Sequence, residues 1–190
     1  MNDVPDVVLG QIMTASGALV APYAMRPTDI RIEDIARALS NICRYAGQIN
    51  RFYSVAQHSV LVSEIVPPRL RLEAMLHDAA EAYLGDLPAP IKRLPNFLFY
   101  REAEHHIEAL VRDVFRLSQD TKDWEQISKI DKALRVNERE ALGLPHVARG
   151  VPIEGVHISL WTPERSFANF AQAITPLMAE RSLPTPKGWW

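Results

Sequence analysis

The stretch Leu76-His77-Asp78-Ala79-Ala80-Glu81 lies inside a run, 69–85, that wound as a helix is apolar nearly all round: Leu70, Leu72, Ala74, Met75, Leu76, Ala79 and Ala82 leave it almost no solvent face. A helix of that make-up is buried. Helical spacing puts both His77 and Asp78 about one turn from Glu81, so a His, an Asp and a Glu crowd one side of it. Ionisable groups on a buried helix are costly unless a metal or a charged partner satisfies them. A His-Asp dipeptide alone carries little information. With Glu81 beside it on an apolar helix, it requires partners from elsewhere in the chain.

Composition limits what those partners serve. The 190 residues read as one domain over 1–190, with a core over 32–142, a C-terminal loop and helix over 145–183 and a tail over 184–190. A net charge of -2 argues against a nucleic-acid coat and against a basic membrane-surface protein. An anionic ligand must therefore meet local positive groups or a metal. A single cysteine, Cys43, excludes an internal disulfide and a Cys-based zinc cluster, and predicts a cytoplasmic protein. The acidic N-terminus has no long apolar run and reads as no signal peptide. No apolar stretch approaches the roughly 20 residues of a membrane span.

Residues 1–30 read as irregular, with a small hairpin over 11–15 and 18–23 around Ser16-Gly17. Ile32, Ile35, Ala36, Leu39, Ile42 and Cys43 repeat at helical spacing and predict a helix ending near Arg44-Tyr45-Ala46-Gly47, capped by Gly47. Ser54-Val55-Ala56-Gln57 matches a capping box. The helix it opens carries His58 in its first turn, and Pro67-Pro68 ends it and starts the His-Asp helix, which Gly85 closes. Two further amphipathic helices are predicted over 100–117 and 124–142, then a loop over 145–157. Thr162-Pro163 opens a last helix with a kink at Pro176. The predicted fold class is all-α.

His58, His77, Asp78 and Asp131 are polar residues forced onto apolar helix faces; Asp131 lies between Ile127 and Leu134 in its helix's inner stripe. A lone His or Asp beside a core is more often a hydrogen-bonded structural residue. Two imidazoles and two carboxylates from three helices outweigh that reading. They form a mixed nitrogen and oxygen donor set suited to one divalent ion: cobalt, manganese, zinc, magnesium, iron or nickel.

Those residues also carry a resemblance. His58, His77-Asp78 and Asp131, on successive helices, resemble the H…HD…D signature of the HD-domain phosphohydrolase superfamily. His77-Asp78-Ala79-Ala80-Glu81 … Gly85-Asp86-Leu87-Pro88-Ala89-Pro90-Ile91-Lys92 is similar to the HD-A-x-E-x-x-x-G-D-L-P-x-P-x-K block of its bacterial 5′-deoxynucleotidase (YfbR-like) branch. Arg44-Tyr45 resembles that branch's Arg-Trp pair, with Tyr45 where the family typically has Trp. The resemblance covers about 32–142. It implies an HD-domain helical bundle, a homodimer, and a phosphohydrolase that releases phosphate from deoxynucleoside 5′-monophosphates. His58, His77, Asp78 and Asp131 are then the metal ligands, and Glu81 orients or deprotonates the attacking water. For Asp86 the resemblance implies a second acid/base role; the plain alternative is a turn cap. Arg44 is the expected phosphate fork, Tyr45 the neighbour of the sugar, and Lys92 a second cation for the phosphate.

Three rivals remain at this point. A dNTP triphosphohydrolase uses the same kind of metal centre. A guanosine tetra/pentaphosphate hydrolase typically has Glu-Asp after the His-Asp pair, where Ala80-Glu81 stands here. A catalytically idle metal-binding interaction module has no physical need of Glu81 and Asp86. Other features read as bland. Adjacent His105-His106 point about 100° apart on a helix and chelate one ion poorly. His146 and His157 fall in loops without useful acidic partners. Arg135, Glu138, Arg139 and Glu140 read as a solvated, salt-bridged face, and Trp161, Phe167 and Phe170 as core aromatics.

Overall fold

The computed structural model describes residues 10–145, 150–186 and 188–189. Over these the protein is all-α, preceded by an antiparallel hairpin of β1 (Ile12–Met13) and β2 (Leu19–Val20), which turns through Gly17 at φ +82°. The predicted hairpin is present, with shorter strands than expected. Its turn is tied to the bundle by Ser16, whose backbone N–H and hydroxyl both donate to Asp34. No helix among the described residues is long and apolar enough to cross a membrane.

The helix α2 (Val55–Ile65) is the centre of the packing: Val55, Ala56, His58, Ser59 and Val62 have no exposed surface. Around it pack α1 (Ile32–Asn41), α3 (Arg71–Met75), α7 (Thr121–Ala141) and α8 (Pro163–Glu180). Between them, α4 (Glu81–Leu84), α5 (Ala89–Lys92) and α6 (Leu98–Val114) close the remaining side, with α6 meeting both α4 and α5. A helix that must be covered on every side is what the apolar composition of 55–66 requires. Ser54 caps α2 by accepting the Gln57 backbone N–H. The Gln57 amide does not complete the expected capping box. It donates to the Ser159 carbonyl and accepts from the Trp161 N–H, pinning the loop before α8 onto the first turn of α2.

Two expected helices end differently. α1 stops at Asn41, and Cys43 instead forms an antiparallel bridge with Ser54, flanked by Arg44 N–H to Tyr53 carbonyl and Val55 N–H to Ile42 carbonyl. Partners nine or more residues away take the backbone groups that a longer helix would have used. Arg44 therefore leaves an extended strand, not a helix end, and Gly47 closes the 3-10 turn Tyr45–Gly47. The expected 69–85 helix is broken at Leu76, and α3 and α4 are joined by a tight turn over 76–80. The cause is local: the His77 ring donates Nδ1–H to the Ala74 carbonyl at 2.8 Å, occupying the acceptor that Asp78 N–H would use in an α-helix. Amides in the turn bond three residues back, as Ala79 N–H does to Leu76.

At the far end of the bundle, the buried Glu73 carboxylate accepts from the Arg181 guanidinium at 2.7 and 2.8 Å and from Ser118 N–H. It locks the end of α8 to α3. Arg181→Ala leaves Glu73 with a single donor, and the expected loss in urea-unfolding free energy is about 1–3 kcal/mol. The tail docks as well: Trp189 meets Phe167 edge-to-face with ring centroids 5.8 Å apart. Phe167 and Phe170 are buried in the core and Trp161 packs against it, as read from the sequence.

Candidate metal centre

The four polar residues of the cluster are delivered by three elements. His58 comes from the first turn of α2, His77 and Asp78 from the 76–80 turn, and Asp131 from the middle of α7. Ile127 and Leu134 on either side of Asp131 are buried, so the same stripe that packs α7 aims the carboxylate inward. His58 Nε2 lies 3.3 Å from His77 Nε2 and 3.3 Å from Asp131 Oδ1. Asp78 Oδ2 is 3.3 Å from His77 Nε2 and 3.7 Å from His58 Nε2. His58, His77 and Asp131 bring their ligand atoms within 4.8 Å of one another, a group that can hold a metal ion.

The hydrogen bonds behind the rings decide what the centre needs. His77 Nδ1 must carry its proton, because its partner is a carbonyl. His58 Nδ1 donates to the Glu138 carboxylate at 2.6 Å. In the neutral rings both Nε2 atoms are then bare lone pairs, and they face each other among carboxylate oxygens. A bound cation, or a proton on one of the rings, satisfies such a set. Burial and Arg44 push the His58 pKa down, yet Glu138 and Asp131 outweigh them and raise it, which expresses the same demand for positive charge. Burial alone would raise the Asp131 carboxyl, but His58, His77 and Arg135 hold it far below the usual range. The donor chemistry fits a divalent first-row ion or magnesium.

Glu138 is the residue that sequence reasoning misplaced. It is not on a solvated face; it has no exposed surface. Its Oε1 accepts from His58 Nδ1 and from Tyr53 OH at 2.9 Å, and its Oε2 from Tyr45 OH at 2.7 Å and Arg44 Nη2 at 3.3 Å. Burial pushes its carboxyl up, but Arg44 and His58 outweigh this and hold it well below the usual range. A depressed folded pKa stabilises the fold above the unfolded value of about 4.3, and that contribution drains away as pH falls below it. Stability should therefore fall more steeply with acid in the wild type than in Glu138→Gln, measured by urea unfolding between pH 7 and pH 3.

The remaining expected site residues divide. Arg44 is buried and held between Asp78 (3.5 Å) and Glu138, and its Nε has no hydrogen-bond partner among the described residues. Tyr45 sits in the left-handed backbone region at φ +58°, a strained conformation for a bulky residue, with its hydroxyl committed to Glu138. Glu81 is buried at the start of α4, and its Oε2 is likewise without a partner. Burial, together with Asp78 and Asp86, pushes its carboxyl well above the normal range. Asp86 is half-buried and also raised, chiefly by burial. Among the described residues Asp86 makes no side-chain hydrogen bond, so it is not a turn cap. Lys92 pairs with Glu104 of α6; burial pushes its pKa down, but Glu104, with the charges of Glu81 and Asp78 near enough to contribute, outweighs this and raises it. His105, His106 and His157 are exposed, and the His106 ring donates Nε2–H to the Met25 carbonyl. His146 lies outside the described residues.

Fold and centre together define an all-α protein with a part-buried His/Asp cluster that can hold a metal ion. The chain is 41% identical over 146 residues to YfdR, an uncharacterized protein of Escherichia coli K12, covering 76% of this chain and 79% of that one. It belongs to the YfdR family. An uncharacterized Rhodobacter capsulatus protein is 47% identical over 75 residues, 35% of this chain and 38% of the relative. No family model matches the chain.

Proposed function

We propose that the protein is a metal-dependent phosphohydrolase acting on nucleotides, releasing phosphate from deoxynucleoside 5′-monophosphates. The observation that carries this reading is the convergence of bare imidazole nitrogens and carboxylates beside a buried guanidinium and a buried carboxyl with an unpartnered oxygen. His58, His77, Asp78 and Asp131 would hold the ion. When bound, a divalent ion there supplies Lewis acidity and lowers the pKa of a water molecule.

The protein's own residues do the rest. Arg44, fixed by Asp78 and Glu138, presents its charge beside the ligand set and orients a phosphate. Glu81, whose pKa burial and the neighbouring carboxylates raise, takes the proton of the attacking water through its free oxygen. Asp86, also raised, returns a proton to the leaving 5′-oxygen. Tyr45 borders Arg44 with its ring, 5.8 Å from the guanidinium, and offers the sugar a wall without room for a 2′-hydroxyl.

The test is a phosphate-release screen over ribo- and deoxynucleoside mono-, di- and triphosphates with several divalent metals. A pyrophosphatase-coupled readout detects triphosphate release. Expected are turnover of deoxynucleoside monophosphates and about tenfold or greater preference for deoxyribose. Triphosphate as the product, or equal rates on both sugars, would overturn the substrate assignment. Arg44→Ala should raise KM steeply across all nucleotides; an unchanged KM removes the phosphate clamp.

A further inference from the structure

Next to the metal-binding cluster, α6, α7 and the 76–80 turn enclose a cleft of about 250 Å³ with His77 and Asp131 in its lining. None of Arg44, Tyr45, Glu81 or Asp86 borders it. The cluster therefore has a second neighbourhood that the proposed phosphate chemistry leaves unused. Apolar residues, Val111, Trp124 and Ile127 among them, share its walls with charged and polar ones. Trp124 is held rigidly: its Nε1–H donates to the Ser118 carbonyl at 2.8 Å, and the Arg112 guanidinium lies 4.4 Å from its ring centroid. Against this apolar surface stand two opposite charges one helical turn apart on α6, Glu108 and Arg112, separated by 3.8 Å and both in the cleft lining.

We propose that this cleft is a nucleobase slot, with guanine its preferred occupant; the assignment rests on reading the centre as a nucleotide site. Pockets for drug-sized ligands run to roughly 300–1,000 Å³. A smaller cleft takes one ring system and not a whole nucleotide, so it suits a base whose phosphate stays at the cluster. Proteins hold unpaired bases by stacking on aromatic and guanidinium planes and by hydrogen bonds to the Watson–Crick edge. Trp124 supplies the plane. For the edge, the Glu108 carboxylate accepts and the Arg112 guanidinium donates. Guanine matches both: its adjacent N1–H and N2–H groups use both oxygens of one carboxylate, and its O6 accepts from the guanidinium. The other bases offer Glu108 a single N–H-bearing position.

The test uses nucleosides, which need no hydrolysis, titrated calorimetrically into the metal-loaded full chain. Deoxyguanosine should bind about tenfold or more tightly than deoxyadenosine, deoxycytidine or thymidine. Glu108→Gln, nearly the same shape, should weaken deoxyguanosine by about tenfold or more and move the others by less than about twofold. Equal binding of the four nucleosides, no binding of any, or an unaltered preference in Glu108→Gln would overturn the slot. Selective deoxyguanosine binding by a protein that releases phosphate from no nucleotide upholds the slot and overturns the hydrolase reading instead.

Discussion

Glu138→Ala should weaken divalent-metal affinity by roughly 10–100-fold, the usual penalty for removing the group that orients a ligand imidazole. The measurement is a competition titration against a chromophoric chelator. Four donors meet the two buried oxygens of Glu138: His58 Nδ1, Tyr53 OH, Tyr45 OH and Arg44 Nη2. Removing the carboxylate frees the His58 ring to rotate or change tautomer, so Nε2 is no longer held toward His77. It also strands the buried Arg44 charge with only Asp78 opposite. Breaking a buried pair from one side costs about 3–5 kcal/mol in unfolding free energy. Tyr53→Phe removes one neutral donor and should cost about 1 kcal/mol with little change in metal affinity. Unchanged metal affinity in Glu138→Ala would mean that the carboxylate serves only the fold.

Glu81→Ala should keep the metal and lose turnover, by on the order of 10²-fold or more for a missing general base. Glu81 begins α4, beyond the turn that carries His77 and Asp78, and its oxygens are not among the close partners of His58 Nε2, which are His77, Asp78 and Asp131. Its buried Oε2 has no hydrogen-bond partner, and burial with Asp78 and Asp86 raises its pKa. A structural carboxylate would be paired; this one is left able to accept a proton. Elemental analysis of the purified variant, alongside single-turnover phosphate release, separates the roles. If metal occupancy falls together with activity, Glu81 is a ligand and the division between holding the ion and moving the proton is wrong.

The core of the centre was legible because apolar periodicity makes a misplaced charge conspicuous. His58 on α2 and Asp131 between Ile127 and Leu134 stood out against stripes that had to be buried, and the structure brings them within 3.3 Å of each other. Glu138 stands on the same stripe, eleven residues after Ile127 and seven after Asp131. Its sequence neighbours Arg135, Arg139 and Glu140 disguised it. Arg139 faces outward to the Pro145 carbonyl, while half-buried Arg135 reaches back to Asp131, so the charged run mixes two faces of one helix. Continuing the inner stripe by heptad spacing, without regard to charge, was the available signal.

Other features were not local enough to read. Ile42 and Cys43 continue the period of α1, but their backbone pairs with Ser54 and Val55 across the loop, and no short window contains that competition. The break at Leu76 depends on the His77 ring capturing the Ala74 carbonyl, a side-chain choice invisible to periodicity. That break matters for the site. A 3-10-like turn rotates successive side chains differently from an α-helix, and it is this turn that brings both His77 Nε2 and Asp78 Oδ2 to within 3.3–3.7 Å of His58 Nε2.

The central claim is that His58, His77, Asp78 and Asp131 share one divalent ion. The most direct measurement is metal content per chain by elemental analysis, for protein reconstituted with a divalent metal and freed of excess, in the wild type and in Asp131→Asn. The account predicts one ion per wild-type chain and a largely empty variant that remains folded by circular dichroism. A wild type that retains no ion under any of the metals tried, or an Asp131→Asn protein that holds it as fully as the wild type, would contradict it.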